Sequence, residues 1–282
     1  MAERNAGGDG VVARLTPYEL VFGGDFERDR FPAIREEAEA LGADVRDPER
    51  FLLLGKVTEL LRELSPDEAG ADLYGRYGAL LYQAYQFWAF GKRLYVLDAG
   101  LARRLVEGTA PVGGWEMTPP HPAGYLQLPR HLFWSRVEEN SPAEPVDGFF
   151  WTMIGAEDPL DPPYRRLDAV LILGVRADRP GFSTIPIGSA LVQAPLGHWA
   201  DADARPGGSD FENVLPGGEL QDWYAIVTEL EAFKLISRIF WYVAAEPAAL
   251  GEESRAAAAE PPSPYALPPS ALPFRTICEA GL

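Results

Sequence analysis

The chain has 282 residues, with 25 Lys and Arg against 42 Asp and Glu, for a formal charge of −17. A chain of this length buries roughly three quarters of its unfolded surface, so its core needs no disulfide or metal staple. Hydrophobic residues at 47% and aromatics at 11% exclude a disordered chain, and mean hydropathy of −0.12 with no run of about 18 apolar residues excludes a membrane-helix bundle.

Residues 1–14 are small and polar and read as a flexible arm. Pro32 in a first turn, acids after it and Gly42 at the end predict a short helix over 32–42. A second helix follows Asp47, with Pro48 at its first position and Leu53, Val57, Leu60, Leu61 and Leu64 at helical spacing. Ser65-Pro66-Asp67-Glu68 announces a third, running to about Phe90 with Leu73, Tyr77, Leu80, Leu81, Ala84, Phe87 and Trp88 on one face. Lys92–Asp98 reads as a strand and Leu101–Glu107 as a short helix, followed by a Pro- and Gly-rich loop over 109–123.

The middle of the chain is β-branched, aromatic and broken into short runs. Tyr125–Leu128, His131–Val137, Phe149–Ile154, Leu167–Val175 and Phe182–Ile187 read as strands. The first two are too close for a crossover helix, so mainly antiparallel neighbours are expected. Ala169–Gly174 is apolar throughout, which suits a strand covered on both faces. After an acidic, Gly-rich loop at 200–218, a last helix is predicted over 219–246, stopped by Pro247. Residues 247–282 form a Pro-rich tail in which Pro273–Cys278 could return as an edge strand. Helices, then strands, then a helix predict an α+β fold. It forms one domain over 15–246, with a helical part at 31–108, a sheet part at 124–190 and a long C-terminal helix packed on the sheet.

Function classes narrow mainly by exclusion. The cations are 22 Arg and three Lys, and the adjacent pairs Arg103/Arg104 and Arg165/Arg166 sit among acids. Without a basic stripe a chain at −17 repels phosphate backbones, so no direct nucleic-acid binding is expected. His121, His131 and His198 are far apart and the lone Cys278 offers no thiolate set, so neither a metal nor another cofactor is expected. No Walker sequence or Gly-x-Ser-x-Gly elbow occurs. The first residues lack the apolar core of a signal peptide, and a soluble cytoplasmic protein with no membrane partner is expected.

Aromatic side chains are in excess in the central strands. Phe149 and Trp151 share one face of their strand and Phe150 takes the other. One reading puts both sets in the core. The other leaves one set exposed for a peptide or protein partner, with Tyr125, Trp134, Arg136, Phe150 and Trp151 as the binding residues, since aromatics and Arg supply much hot-spot energy. Two further readings remain open. One is a hydrolase using two of the carboxylates Glu138, Glu139, Glu144, Asp147, Glu157, Asp158 and Asp161. The other is a structural component of a bacterial assembly.

Tyr125-Leu126-Gln127-Leu128-Pro129, Trp134 five residues on, and Gly148-Phe149-Phe150 form an ordered set. Leu167-Asp168, Trp241 with Ala245-Glu246-Pro247, and Pro273-Phe274 continue it. In order and spacing, over roughly residues 125–274, this set resembles the second type V-A anti-CRISPR inhibitor family, borne by phages. The resemblance implies a mixed α/β binder without enzymatic activity. Such a protein would recognise the N-terminal peptide of a nascent CRISPR nuclease and lower its production. Leu128, Pro129, Gly148, Trp241 and Pro247 match as fold determinants: a strand end, a turn and a helix stop.

Overall fold

The structure, a computed structural model, describes residues 12–64, 71–107, 119–155, 165–176, 181–191, 224–226, 228–255 and 267–279. Residues 109–118 of the loop expected over 109–123, the loop expected at 200–218, the start of the third helix at 65–70 and that of the last helix at 219–223 lie outside these residues, as do Glu157, Asp158, Asp161 and His198.

Five helices come first: α1 (Pro17–Val21), α2 (Phe31–Leu41), α3 (Pro48–Leu52), α4 (Gly55–Leu64) and α5 (Ala71–Ala89). Thr16 and Glu19 form a capping box on α1, and Gly42 closes α2 in the left-handed conformation at φ 62°. The single helix expected after Asp47 is two helices. Asp47 caps the first through the amides of Glu49 and Arg50. The Glu37 carboxylate then accepts from the amides of Gly55 (3.0 Å) and Lys56 (2.8 Å), starting α4 afresh. A side chain of α2 thus satisfies the orphan donors that a local cap would otherwise take.

The strands are β1 (Leu94–Leu97), β2 (Ala123–Gln127), β3 (Phe133–Ser135), β4 (Glu144–Gly155), β5 (Arg165–Leu173), β6 (Ser183–Leu191), β7 (Tyr224–Ile226) and β8 (Phe274–Ile277). Two more α-helices, α6 (Ala99–Glu107) and α7 (Glu229–Ala245), lie among the described residues. The sheet runs β6-β5-β4-β2-β1-β8, with β3 and β7 branching from β4. The fold is α+β as expected, but the sheet is mixed. Pairs β2–β4, β3–β4, β4–β5 and β5–β6 are antiparallel, whereas β1–β2, β1–β8 and β3–β7 are parallel. The parallel pairs join segments distant in the chain, which neighbour spacing does not reveal.

Helices cover the sheet on both sides. On one face Tyr95, Leu126, Phe149, Trp151, Ala169 and Leu171 pack with α6 and with Phe233, Ile236, Ile239 and Phe240 of α7. On the other, Leu94, Val96, Tyr125, Phe150, Val170 and Ile172 pack with α1 to α5. Adjacent residues of β4 therefore feed two separate cores: Trp151 meets Phe240 at 5.0 Å between ring centroids, and Phe150 meets Tyr125 at 4.4 Å and Phe87 at 5.5 Å.

Two boundaries differ from the sequence reading, and the expected edge strand at Pro273–Cys278 is present as β8. Within the helix expected over 219–246, residues 224–226 form strand β7 and the helix is the shorter α7, because Thr228 and Glu231 close a capping box that fixes its start. The far end of the arm is held: Ala13 is buried, Leu15 donates its amide to Pro268 O at 2.7 Å, and Ser270 donates to Ala13 O at 2.9 Å. The tail segment β8 lies beside β1 in register Leu94↔Phe274 to Leu97↔Ile277. Its outer edge carries bridges from Leu250 and Ser254. Among the described residues no helix is long and apolar enough to cross a membrane.

Candidate binding site

Of the five residues expected to meet a partner, three are interior. Tyr125, Phe150 and Trp151 are at most 1% exposed, so they cannot touch a partner in this fold. The cause is that helices cover both faces: α1 to α5 bury Tyr125 and Phe150, and α7 buries Trp151. Trp134 and Arg136 remain outside. Trp134 lies on β3 and Arg136 directly follows its end, while Phe133 and Ser135 point inward, Ser135 Oγ donating to Ile226 O at 2.6 Å.

Trp134 stands on the rim of a cleft of about 390 Å³ between the end of β3, the start of β4 and the exit of β5. Arg130, His131, Glu144, Pro145, Asp147 and Arg176 contribute to its wall. Local geometry fixes the rim. His131 holds φ 63°, a left-handed value that a non-glycine residue seldom adopts. In that conformation its carbonyl accepts from Trp134 Nε1 at 3.0 Å, and the two rings stack with centroids 5.9 Å apart. Arg136 is exposed and reaches back to Glu139 O at 3.3 Å.

Gly174, at φ 67°, follows β5 and passes close under Glu144: a Cβ there would lie 2.9 Å from the Glu144 carboxyl carbon. This tight passage is needed for Glu144 to lie against the wall. Its Oε2 is buried without a hydrogen-bond partner among the described residues. Asp147, by contrast, is fully engaged. Arg14 Nη2 donates to Oδ1 at 3.0 Å and the Tyr125 hydroxyl donates to Oδ2 at 2.6 Å. Burial, and then the Asp147 charge, push the Tyr125 phenol well above its ordinary pKa, which keeps the donor protonated. Burial first, and then Arg130 and Arg14, lower the His131 pKa, so its ring is neutral at pH 7.

This geometry bears on chemistry. Glu144 and Asp147 are the two carboxylates of the cleft wall, but both Asp147 oxygens already accept from buried donors, so it is not free to move a proton to or from a substrate. Glu138 and Glu139 are exposed on the turn beyond β3. Among the described residues no three His, Cys, Asp or Glu side chains group as a metal site. Cys278 lies beside Ala249, its amide donating to Ala249 O at 3.1 Å.

The sequence reading missed Arg130, His131 and Arg176 as wall residues. A signal for the first two was present, since they directly follow the strand end Leu128-Pro129 and precede the exposed Trp134. Arg176 carried none, because only the β4–β5 register brings it there.

No known family's sequence profile matches the chain, and no curated protein does. Among solved structures, the crystal structure of AcrVA2 is similar at 11% identity, with 92% of this chain and 81% of that chain covered and a TM-score of 0.45. The resemblance is a distant one. It assigns no residue of the cleft a role.

Proposed function

We propose that this protein is a non-enzymatic binder that grips a segment of another polypeptide in the cleft beside Trp134. One observation carries the reading: the Trp134 indole is half-buried and pinned by its bond to the His131 carbonyl, at the mouth of an open cleft. A large aromatic held in one orientation loses little freedom on binding, which is what a hot spot needs. The orphan Glu144 oxygen supplies an acceptor for a donor on the incoming segment. With 42 acids against 25 cations, the field of the whole chain favours a basic or neutral segment.

Taken with the ordered sequence blocks, the finer proposal is an anti-CRISPR-like regulator whose partner is the N-terminal peptide of a nascent CRISPR nuclease. Its effect would be lower production of that nuclease.

The test is capture of partners from a nuclease-bearing host by the full chain, with Trp134→Ala and Glu144→Gln in parallel, read by mass spectrometry. One polypeptide retained by the wild type and lost from both variants, while their circular dichroism stays unchanged, is the expected result. Equal recovery by all three folded proteins overturns the site. Turnover of a small substrate without any captured polypeptide overturns the function.

A further inference from the structure

A second set of side chains gathers at the opposite end of the sheet path from β6, where β1 and β8 begin. Tyr95 and Arg275 are register partners on these strands, so their side chains leave the sheet on one side, and Arg93, two residues before Tyr95, shares that side. Arg93, Tyr95, Arg275 and Glu253 line one shallow depression. The Tyr95 hydroxyl and His121 Nδ1 share a hydrogen bond at 2.6 Å, which ties the imidazole to the edge of this depression. The backbone of His121 is fixed as well, its carbonyl accepting from Trp151 Nε1 at 3.0 Å.

The charges here do not balance. Among the described residues the sole carboxylate within ion-pair distance of Arg93 is Glu253, at 3.8 Å, beyond hydrogen-bond length. Arg93 Nε is buried and has no acceptor. Arg275 is half-buried and has no acidic partner within ion-pair distance among the described residues. Two guanidinium groups therefore line the depression with one carboxylate, which only Arg93 holds, and loosely, in a chain whose acids outnumber its cations. Burial first, and then both guanidinium charges, lower the His121 pKa.

We propose that Arg93 and Arg275, with His121 beside them on the Tyr95 hydroxyl, form a binding site for a tetrahedral oxyanion, a phosphate or sulfate group, that competes with Glu253 for the Arg93 guanidinium. Arginine forks match phosphate oxygens in geometry, and charge-assisted bonds of this kind are the strong ones. The enclosed volume is only about 20 Å³, so the depression admits the face of a single anion and not an organic body. The anion is either free or the tip of a larger phosphorylated molecule lying outside. This inference is independent of the Trp134 cleft and stands or falls without it.

The full chain would be titrated separately with inorganic phosphate, with O-phosphoserine and with sodium chloride at matched ionic strength, following thermal midpoint and the His121 ring resonances. Phosphate is expected to raise the midpoint saturably and to move the His121 signals. Equal affinity for phosphoserine marks a free-anion site, and tighter binding marks a group carried on a larger molecule. Arg275→Gln is expected to weaken binding about tenfold or more, the loss of one charge-assisted contact. Glu253→Gln is expected to tighten it by removing the competitor, an opposite sign that no general loss of stability mimics. An equal response to chloride, or wild-type phosphate affinity in Arg275→Gln, overturns the site.

Discussion

The indole of Trp151 lies directly over Gly124, its register partner on the neighbouring strand. A Cβ at Gly124 would stand 2.3 Å from Trp151 Cη2, well inside contact distance. The glycine is what lets the largest side chain of β4 lie flat across β2 and reach both Phe240 on α7 and Tyr95 on β1. Gly124→Ala is therefore expected to destabilise by about 1–3 kcal/mol through overpacking. Urea denaturation checks it, and an unchanged midpoint would show that the ring has room to move.

Removing the ring acts in the opposite way. Trp151→Ala and Phe150→Ala each open a void in a different core and are each expected to cost about 3–5 kcal/mol. Trp134→Ala, on the rim, is expected to leave the denaturation midpoint nearly unchanged. Any loss of partner capture in the two core variants thus reports unfolding, and only the Trp134 variant reports recognition. Comparing the three midpoints decides this.

Asp147 is held by Arg14 and Tyr125 in a nearly closed environment, with side-chain exposure of 17% for Arg14 and 7% for Asp147. Arg14→Ala leaves a buried carboxylate with one donor and is expected to cost about 3–5 kcal/mol. Tyr125→Phe removes only a hydroxyl bonded to a charged acceptor, with an expected loss of about 1.5–3 kcal/mol. A double-mutant cycle on Arg14 and Tyr125 should return a coupling larger than the additive sum allows for independent sites.

His121 and His131 both titrate below the ordinary imidazole value of 6.5 in the folded chain, through burial first and neighbouring arginines second. The unfolded chain then binds more protons than the folded one just below that value. Stability rises with pH through this window, is complete above 6.5 and is lost as pH falls toward the lowered folded values. The denaturation midpoint is expected to drop between pH 7.5 and 5.5. His121→Gln with His131→Asn, the asparagine chosen because it tolerates the left-handed backbone, should flatten the drop. A slope unchanged in the double variant would assign the effect to other groups.

Particular residues show what the sequence made legible. The α2 helix was readable from Pro32 and Gly42, since both act through local backbone geometry. The alternation of Phe149, Phe150 and Trp151 correctly put their side chains on opposite faces. What alternation could not say is that both faces are covered, because it reports direction and not what waits there. The same limit explains the binding residues: Trp134 and Tyr125 are both aromatics on short strands, and only the placement of α1 to α5 separates an exposed ring from a core ring. The break before α4 was hidden because its cap comes from Glu37, eighteen residues upstream of Gly55.

The pairing of β8 with β1 has a consequence for how the chain reaches this shape. During synthesis β1 emerges early, yet the strand that seals its free side is made only after α7. For that interval an apolar segment, Leu94-Tyr95-Val96-Leu97, has an unpaired edge facing solvent and available to any passing strand. Chaperone demand and misassembly should therefore concentrate in that interval, and shortening the chain ahead of Phe274 should make the risk permanent.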